Sequence, residues 1–372
     1  MPLKKYLILI LLVSIFMPGC WDIEEVNNRS SVGVLFLDTG SQQKVKLGAV
    51  FPVPGTLLPP VVGMEQQFEK RHIVLTAEGS DITDAWSNLA SAVSRTIFFG
   101  QLRVIIISDE YARMNIDNFL DFTGRMPNMP MNIPLLVTKS DPEKLMEIKN
   151  NTNFVPGNFI GLYLQSPRKK PLAMPGVLWE VFADLDNKTS DPFMPMIEEY
   201  QKNYRIAGLA VFSGPRMVGE INMKETETAA LIRDVPFGFL TAPLGDNEGL
   251  ISYRDIRSRT KIIPEIDNKG VLTFTVRTDV TGKVSELNPT KKEITLQEKK
   301  QFETKTAELI RKDINGLLQK LQQLNSDPLG FGEKFRAAYP LIWEKINWHD
   351  VYPAARFEVK ANFKIVQTGM YR

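Results

Sequence analysis

The stretch LRVIIIS at residues 102–108 has one charge, on Arg103, followed by four consecutive aliphatic side chains. β-Branched side chains favour strands, and a strand that is apolar on both faces is typical of the buried centre of a sheet. Another strand pattern, residues 72–79, precedes it. The segment between them opens with the capping residue Ser80 and predicts a helix to about Arg95. The order strand, helix, strand predicts a parallel βαβ unit.

Further elements follow from the periodicity on both sides of this unit. Apolar runs at residues 31–38 and 44–52, on either side of a Gly40-Ser41 turn, predict a hairpin. The prolines of residues 51–62 predict an extended loop. After the central strand, the pattern predicts a helix at 109–122 and a strand at 135–139. A short helix at 141–149, with Pro142 in its first turn, and then short helices and loops at 152–195 are predicted to follow.

The pattern changes near residue 204, where hairpins and a long helix take over. Residues 206–221 predict a hairpin with its turn at Ser213 to Pro215, and residues 296–324 form the longest amphipathic helical pattern. The other predicted elements of this half are a helix at 224–233 and strands at 249–253, 259–267, 271–284 and 355–367. The sequence therefore predicts an α+β, multidomain protein with mixed sheets, packed helices and a long helix in its C-terminal domain.

The start of the chain has the pattern of an export signal. Lys4 and Lys5 precede an apolar run from Tyr6 to Met17, which is shorter than the roughly 20 residues that a membrane-spanning helix needs. The run stops at Gly19-Cys20, a small residue before the only cysteine of the chain. We interpret residues 1–19 as a lipoprotein signal peptide and Cys20 as the lipid acceptor. The predicted domains are then an N-terminal α/β domain, residues 20–200, and a C-terminal α+β domain, residues 204–372, with a further division near residue 255 left open.

The composition excludes several classes of function. About 350 residues remain after cleavage, enough for two or three cores, and a formal net charge of +2 does not indicate nucleic-acid binding. The two histidines, His72 and His349, are far apart and outside any Cys/His cluster, so no metal site is predicted. The sequence has no phosphate-binding glycine loop and no nucleophile elbow. We therefore predict no catalytic residues, no cofactor and no enzymatic activity.

Two motifs resemble one family, the Ger(x)C lipoproteins, which are the C subunits of nutrient germinant receptors of spore-forming bacteria. They are Gly-Cys-Trp-Asp at residues 19–22 and NSDPLGFGEKFRAAYPLIW at residues 325–343, with weaker similarity at 99–112, 208–219 and 367–370. The chain departs from the family pattern at Gln101, where many relatives have His, and at Pro328. The resemblance implies an α+β multidomain fold unlike that of known enzymes. It also implies two membrane-embedded partners, the A and B subunits, at the spore inner membrane.

Three functions compete at this point. The first is a membrane-anchored receptor subunit required for germination in response to nutrients such as amino acids or sugars. The second is the substrate-binding lipoprotein of a transporter, which would need two similar lobes around a cleft. The third is a cell-wall hydrolase, which would need an acid pair or a metal cluster. The two halves of the sequence differ in pattern, and this favours the first function.

The segment at residues 325–343 predicts a sharp turn between two helices. Pro328 cannot continue the long helix without strain, and Gly330 and Gly332 allow backbone angles that are closed to other residues. A second helix is expected over residues 333–339. In one interpretation Phe331, Phe335 and Trp343 are simply core residues. In the other, the turn is part of the surface that meets the membrane subunits, and the sequence leaves both interpretations open.

We expect the substitution Cys20→Ala to remove the only acceptor for lipid and so to release the protein from the membrane or leave it uncleaved. Metabolic labelling with a radioactive fatty acid measures this directly. Label that persists in the variant would contradict the lipid anchor.

Overall fold

The structure is a computed structural model, and it describes residues 28–41, 44–53, 71–148, 155–165, 174, 176–243, 249–286 and 294–368. The predicted signal peptide and Cys20 lie outside these residues, as does most of the proline-rich loop at 51–62. Within the described residues, the strands are β1 (Arg29–Ser31), β2 (Val34–Thr39), β3 (Val45–Pro52), β4 (His72–Gly79), β5 (Thr96–Phe98), β6 (Val104–Ser108), β7 (Leu135–Thr138), β8 (Phe193–Tyr200), β9 (Asn203–Ser213), β10 (Arg216–Asn222), β11 (Phe237–Pro243), β12 (Leu250–Ile266), β13 (Leu272–Glu286) and β14 (Arg356–Gln367).

The described helices are distributed over both halves of the chain. They are α1 (Ile82–Ser91), α2 (Asp109–Met114), α3 (Asp117–Arg125), α4 (Pro142–Met146), α5 (Pro156–Gln165), α6 (Leu178–Asn187), α7 (Met223–Ile232), α8 (Leu296–Gln323), α9 (Phe331–Ala338), α10 (Pro340–Trp343) and α11 (Trp348–Val351). The mixture of sheets and packed helices, with a long helix near the C-terminus, confirms the predicted α+β class.

An eight-stranded mixed sheet forms the centre of the molecule, in the order β10-β9-β8-β7-β6-β2-β3-β4. Strand β6 pairs in parallel with β2 on one side and with β7 on the other, and all five of its residues are buried. A strand with helices over both faces has no solvent side, which explains why its sequence is apolar without alternation. The predicted hairpin is also present, because β2 and β3 pair antiparallel from Val34–Val50 to Thr39–Val45.

The predicted βαβ unit spans more of the sheet than expected. Strands β4 and β6 run in the same direction, but β2 and β3 lie between them. The β2–β3 hairpin is made of residues close in sequence, and β4 extends it on the far side. Helix α1 therefore crosses over two strands, and it ends at Ser91 and not near Arg95.

Side chains alternate between the two faces of this sheet and build separate cores. Leu35, Leu37, Ile105 and Ile107 point to one face, where α1, α2, α3 and α6 cover them. On the other face, one cluster is covered by α4 and α5, and it includes Val34, Phe36, Val104, Ile106 and Leu136. Beside that cluster, Leu209 and Val211 join the core of the C-terminal half.

The C-terminal half is a four-stranded sheet, β11-β12-β13-β14, with α8 packed across its inner face. Thr295 and Glu298 form a capping box that starts α8, and the buried stripe of the helix includes Phe302, Ile310, Ile314 and Leu317. β13 and β14 are parallel, because the chain returns through α8 and the helices that follow it. The predicted long amphipathic helix is thus a packing element of this sheet.

The strands of the structure differ from the predicted strands in several places. β1 and β5, each three residues long, were not predicted. β8 and β11 were not predicted either, since Pro195 and Gly238 interrupt their patterns. The predicted strands at 249–253 and 259–267 are one strand, β12, which bulges at Asp255, a residue with φ of 55°. The bulge shifts the register of the pairing between β12 and β13, and the two strands remain paired on both sides of it.

The predicted domain boundary falls between two strands of one sheet. β8 ends at Tyr200 and β9 starts at Asn203, and the two pair antiparallel. Hydrogen bonds therefore cross residues 200–204, although the sequence pattern changes there. The division into residues 20–200 and 204–372 stays a prediction.

Candidate functional site

Two copies of the tripeptide Ser-Asp-Pro meet where the two halves join. Ser190-Asp191-Pro192 precedes β8, and Ser326-Asp327-Pro328 follows α8. The backbone N–H of Asp191 donates to the carbonyl of Asp327 at 3.0 Å, and the N–H of Asp327 donates to Oδ2 of Asp191 at 2.7 Å. We call this pair, with Ser213, Asn325 and His349 around it, the carboxylate junction.

The side chain of Asp327 organises the turn after α8. Its carboxylate accepts from the backbone N–H groups of Phe331 (3.0 Å) and Gly332 (2.7 Å), and from Nε1 of Trp348 (3.0 Å). Helix α9 starts at Phe331, so Asp327 satisfies N–H groups that have no partner inside the helix. A negative charge is also favoured at a helix N-terminus. The turn, the start of α9 and the position of Trp348 therefore depend on one side chain.

Asp191 connects the same turn to the eight-stranded sheet. Its Oδ1 accepts from the N–H of Gly214, in the β9–β10 turn, at 2.7 Å. The same oxygen lies 3.5 Å from Nε2 of His349. Beside it, the hydroxyl of Ser213 donates to the carbonyl of Asn325 at 2.8 Å, and the hydroxyl of Ser326 donates to the carbonyl of Phe212. The end of the β9–β10 hairpin is thus bonded directly to the segment after α8.

Burial dominates the electrostatics of the junction. The side chain of Asp327 is fully buried, and this raises its pKa to about 8, against the opposing effect of the N–H groups of Gly332 and Phe331. Burial also raises the pKa of Asp191, while the nearby His349 opposes the rise. A buried carboxylate costs free energy when it is ionised unless hydrogen bonds replace its water.

Two glycines let the chain pass close to this carboxylate. Gly330 has φ of 78°, a left-handed conformation that other residues adopt with strain. At Gly332, a Cβ atom would lie 2.6 Å from the carbonyl oxygen of Thr189 and 2.8 Å from Nε1 of Trp348. The predicted turn is confirmed. Phe331 and Phe335 are core residues, whereas Trp343 is only partly buried.

Ser213, His349 and Asp191 have the composition of a hydrolase triad but not its hydrogen bonds. The proton of Ser213 is directed to the Asn325 carbonyl, and Nδ1 of His349 lies 3.3 Å from the same oxygen and 3.5 Å from the serine hydroxyl. A carbonyl oxygen can only accept, so this contact places a proton on Nδ1. A protonated Nδ1 cannot take the serine proton as a general base. The arrangement fits polar contacts that hold separate segments of the chain together.

A cavity of about 530 Å³ opens beside the junction, where Asp184, Asp191, Gly214, Trp343 and His349 form part of its wall. Asp184 accepts from the hydroxyl of Ser190 at 2.5 Å, and burial raises its pKa. Across the described residues, no group of three or more His, Cys, Asp or Glu side chains could hold a metal ion.

Comparisons with known proteins identify the family. A model described as the spore germination protein N-terminal domain matches residues 22–199. A second model, for the spore germination B3/GerAC-like C-terminal domain, matches residues 207–369. The chain belongs to the Ger(x)C family of spore germination proteins.

Relatives match this Ger(x)C chain over nearly its whole length. The spore germination protein GerQC of Bacillus cereus is 24% identical over 372 residues, covering 98% of this chain and 99% of the relative. The spore germination protein B3 of Bacillus subtilis is 22% identical over 360 residues, with 94% of each chain covered. The crystal structure of the GerBC protein superposes with a TM-score of 0.59 at 17% identity, covering 89% of this chain and 96% of that one.

The residues that the sequence singled out lie in separate places in the Ger(x)C fold. Gln101 ends an exposed 3₁₀ turn, where its Oε1 accepts from Arg103 at 3.4 Å. His72 contacts the carbonyl of Met146 through Nε2 at 2.8 Å. Cys20 is outside the described residues. Among the described helices, none combines the length and apolar character that crossing a membrane requires.

No pattern in the sequence directly indicated Asp191 or its pairing with Asp327. His349 also appeared isolated, because its partners are distant in sequence. The available signal was the repeated Ser-Asp-Pro at 190–192 and 326–328, which also occurs at 140–142. There Asp141 caps α4 through the N–H groups of Glu143 and Lys144. Two of the three copies, those of Asp141 and Asp327, thus cap a helix, whereas Asp191 accepts from a turn and from Asp327.

We expect the pH dependence of stability to change in Asp327→Asn. The pKa of Asp327 is raised from 3.8 to about 8, so between these values the folded protein binds a proton that the unfolded chain has released. The free energy of unfolding should therefore decrease as pH rises through this window, by up to about 1.4 kcal/mol per pH unit for one proton. Urea unfolding at several pH values should show a shallower decrease for the variant. If the free energy of unfolding changed with pH equally in the two proteins, the assignment of the raised pKa to Asp327 would be refuted.

Proposed function

We propose that this protein is the lipid-anchored C subunit of a nutrient germinant receptor, required for spore germination in response to nutrients. In this proposal it works with two membrane-embedded subunits, A and B, at the spore inner membrane. Cys20 carries the lipid and holds the folded part on the extracytoplasmic face. The protein positions partners and catalyses no reaction.

The observation that carries the proposal is the match of both spore germination domain models, in order, over residues 22–199 and 207–369. GerQC of Bacillus cereus supports it over the full length of the chain. The Lys-Lys, apolar and Gly-Cys sequence at the N-terminus supports the anchor, because two or three lipid chains on one residue hold a protein firmly on a bilayer.

The geometry of the junction is consistent with a role in positioning. Hydrogen bonds of Asp191 with Gly214 and Asp327 join the two regions that the family models cover. Such bonds fix the relative orientation of the regions, so a partner that contacts both would meet a defined surface. The Ser213 and His349 contacts support no nucleophilic mechanism, which favours this role over that of a hydrolase.

The alternative, a substrate-binding lipoprotein of a transporter, receives little support from the fold. Such proteins enclose their ligand between two similar lobes. Here the described residues form an eight-stranded mixed sheet and a four-stranded sheet, which differ in strand number and order.

We expect the tagged full-length protein, purified from detergent-solubilised spore membranes, to bring down two multi-spanning membrane proteins that mass spectrometry identifies. Spores lacking the gene should lose their response to at least one nutrient, and the wild-type gene should restore it. The matched control is Cys20→Ala at equal abundance, which should recover less of both partners.

Two results would contradict the proposal. One is normal germination of the deletion strain with every nutrient together with an absence of membrane partners. The other is tight binding of a labelled nutrient by the isolated protein together with co-purification of a transporter, which would support the alternative.

A further inference from the structure

The outer face of the four-stranded sheet carries an excess of positive charge. Its inner face packs on α8, so the alternate residues of β12, β13 and β14 point to solvent. Exposed cations on this outer face are Arg257, Arg259, Lys261, Arg277, Lys360 and Lys364.

Three of these cations form one row across neighbouring strands. Lys261 lies opposite Arg277 in the antiparallel β12–β13 pair, and Arg277 lies opposite Lys360 in the parallel β13–β14 pair. None of the three is in an ion pair with any residue that the structure describes. Like charges directly opposite one another destabilise a sheet. Repulsion among the three cations therefore lowers the stability of the sheet when nothing is bound to this face. An anionic partner would remove the repulsion.

The rows beside this one are not positive themselves. On one side, Ile263, Thr275 and the exposed Glu358 form a row with a single negative charge. On the other side, Asp279 lies between Arg259 and Asn362 in a neutral row, and it accepts from Nδ2 of Asn362 at 2.8 Å. In the row after that, Arg257 and Lys364 lie on either side of the neutral Thr281. Cations therefore outnumber the acidic groups over these four rows.

Apolar side chains border the cations at the end of the face where β11 joins the sheet. Phe239 is 64% exposed and lies opposite Arg254, and Leu250 is 62% exposed at the start of β12. Val366, near the end of β14, is 53% exposed. Exposed aromatic and aliphatic groups beside cations are typical of surfaces that contact the headgroup region of a bilayer.

We propose that this outer face, the cationic sheet face, binds an anionic lipid bilayer. Lys261, Arg277 and Lys360 contact the headgroups, and Phe239 and Leu250 contact the boundary with the acyl chains. The inference rests on the proposed function in one respect, since the lipid anchor on Cys20 would keep a bilayer within reach. Cys20 precedes the first described residue, Asn28, by a segment that spans at most roughly 29 Å when extended.

The spread of the cations over the sheet favours a bilayer over an acidic peptide. The cations are distributed over three strands, and the row from Lys261 to Lys360 crosses all three. A planar array of lipid phosphates can meet them together. Each Lys or Arg near an anionic leaflet strengthens binding about fivefold, so three contribute on the order of a hundredfold.

Vesicle co-sedimentation of the mature protein without lipid, residues 20–372 with Cys20→Ser, tests the proposal without the apolar signal segment. The probes are vesicles of an equal mixture of phosphatidylglycerol and phosphatidylcholine, and vesicles of phosphatidylcholine alone. We expect binding to the first and little to the second, with binding weakened by salt. Lys261→Gln, Arg277→Gln and Lys360→Gln together should weaken binding on the order of a hundredfold.

The matched control combines Lys300→Gln, Arg311→Gln and Lys312→Gln, which change the net charge equally on exposed positions of α8. It should retain binding within a few fold. Equal loss in both triple variants, or no binding by the parent protein, would overturn the proposal. Phe239→Gln with Leu250→Gln provides a second variant, which should weaken the binding that persists at high salt.

The result of the vesicle test can be distinguished from failure of the proposed function. Vesicle binding requires neither lipid on Cys20 nor receptor partners, so it can be positive when labelling of Cys20 or co-purification is negative. Conversely, a labelled and partnered protein that ignores anionic vesicles would refute only the cationic sheet face.

Discussion

The structure depends on the burial of two carboxylates at the point where the halves of the chain meet. Asp327 is fully buried and Asp191 is 3% exposed, although the two residues are 136 positions apart in sequence. Burial of a carboxylate is costly unless hydrogen bonds replace its water. Here these bonds come from several segments, so the carboxylates are satisfied only when the β9–β10 turn, the start of α9 and Trp348 are all in place.

This constraint explains the sequence around residue 327. α8 ends before Asn325, which has φ of 47°, Gly330 makes the turn that follows, and Gly332 permits the close approach to Thr189 and Trp348. Phe331 then enters the core against Phe274, with ring centroids 5.1 Å apart. The main role of the family motif at residues 325–343 is therefore to form this turn and to pack it against the core. A protein whose parts are fixed in this way suits a receptor subunit that positions partners, and the cationic sheet face would fix its orientation to the bilayer.

The sequence predicted the elements that depend on local pattern. β6 was recognisable from its uninterrupted aliphatic run, the β2–β3 hairpin from its turn, and α8 from its amphipathic stripe. β11 was missed because its pairing with β12, and not its own residues, makes it a strand. The carboxylate junction could not be predicted for a related reason. Asp191 and His349 are ordinary polar residues in sequence, and their roles come from contacts between distant segments.

The central claim is that the hydrogen bonds of the carboxylate junction stabilise the packing of the turn after α8 against the eight-stranded sheet. Calorimetry of the wild-type protein and of Asp191→Ala tests it most directly. This substitution removes the acceptor for the N–H groups of Gly214 and Asp327 and leaves both without a partner, at a cost of about 1–3 kcal/mol each. The account predicts one cooperative transition for each protein, with the transition of Asp191→Ala at a lower temperature than that of the wild-type protein. A variant that unfolds in one transition at the wild-type temperature would contradict it.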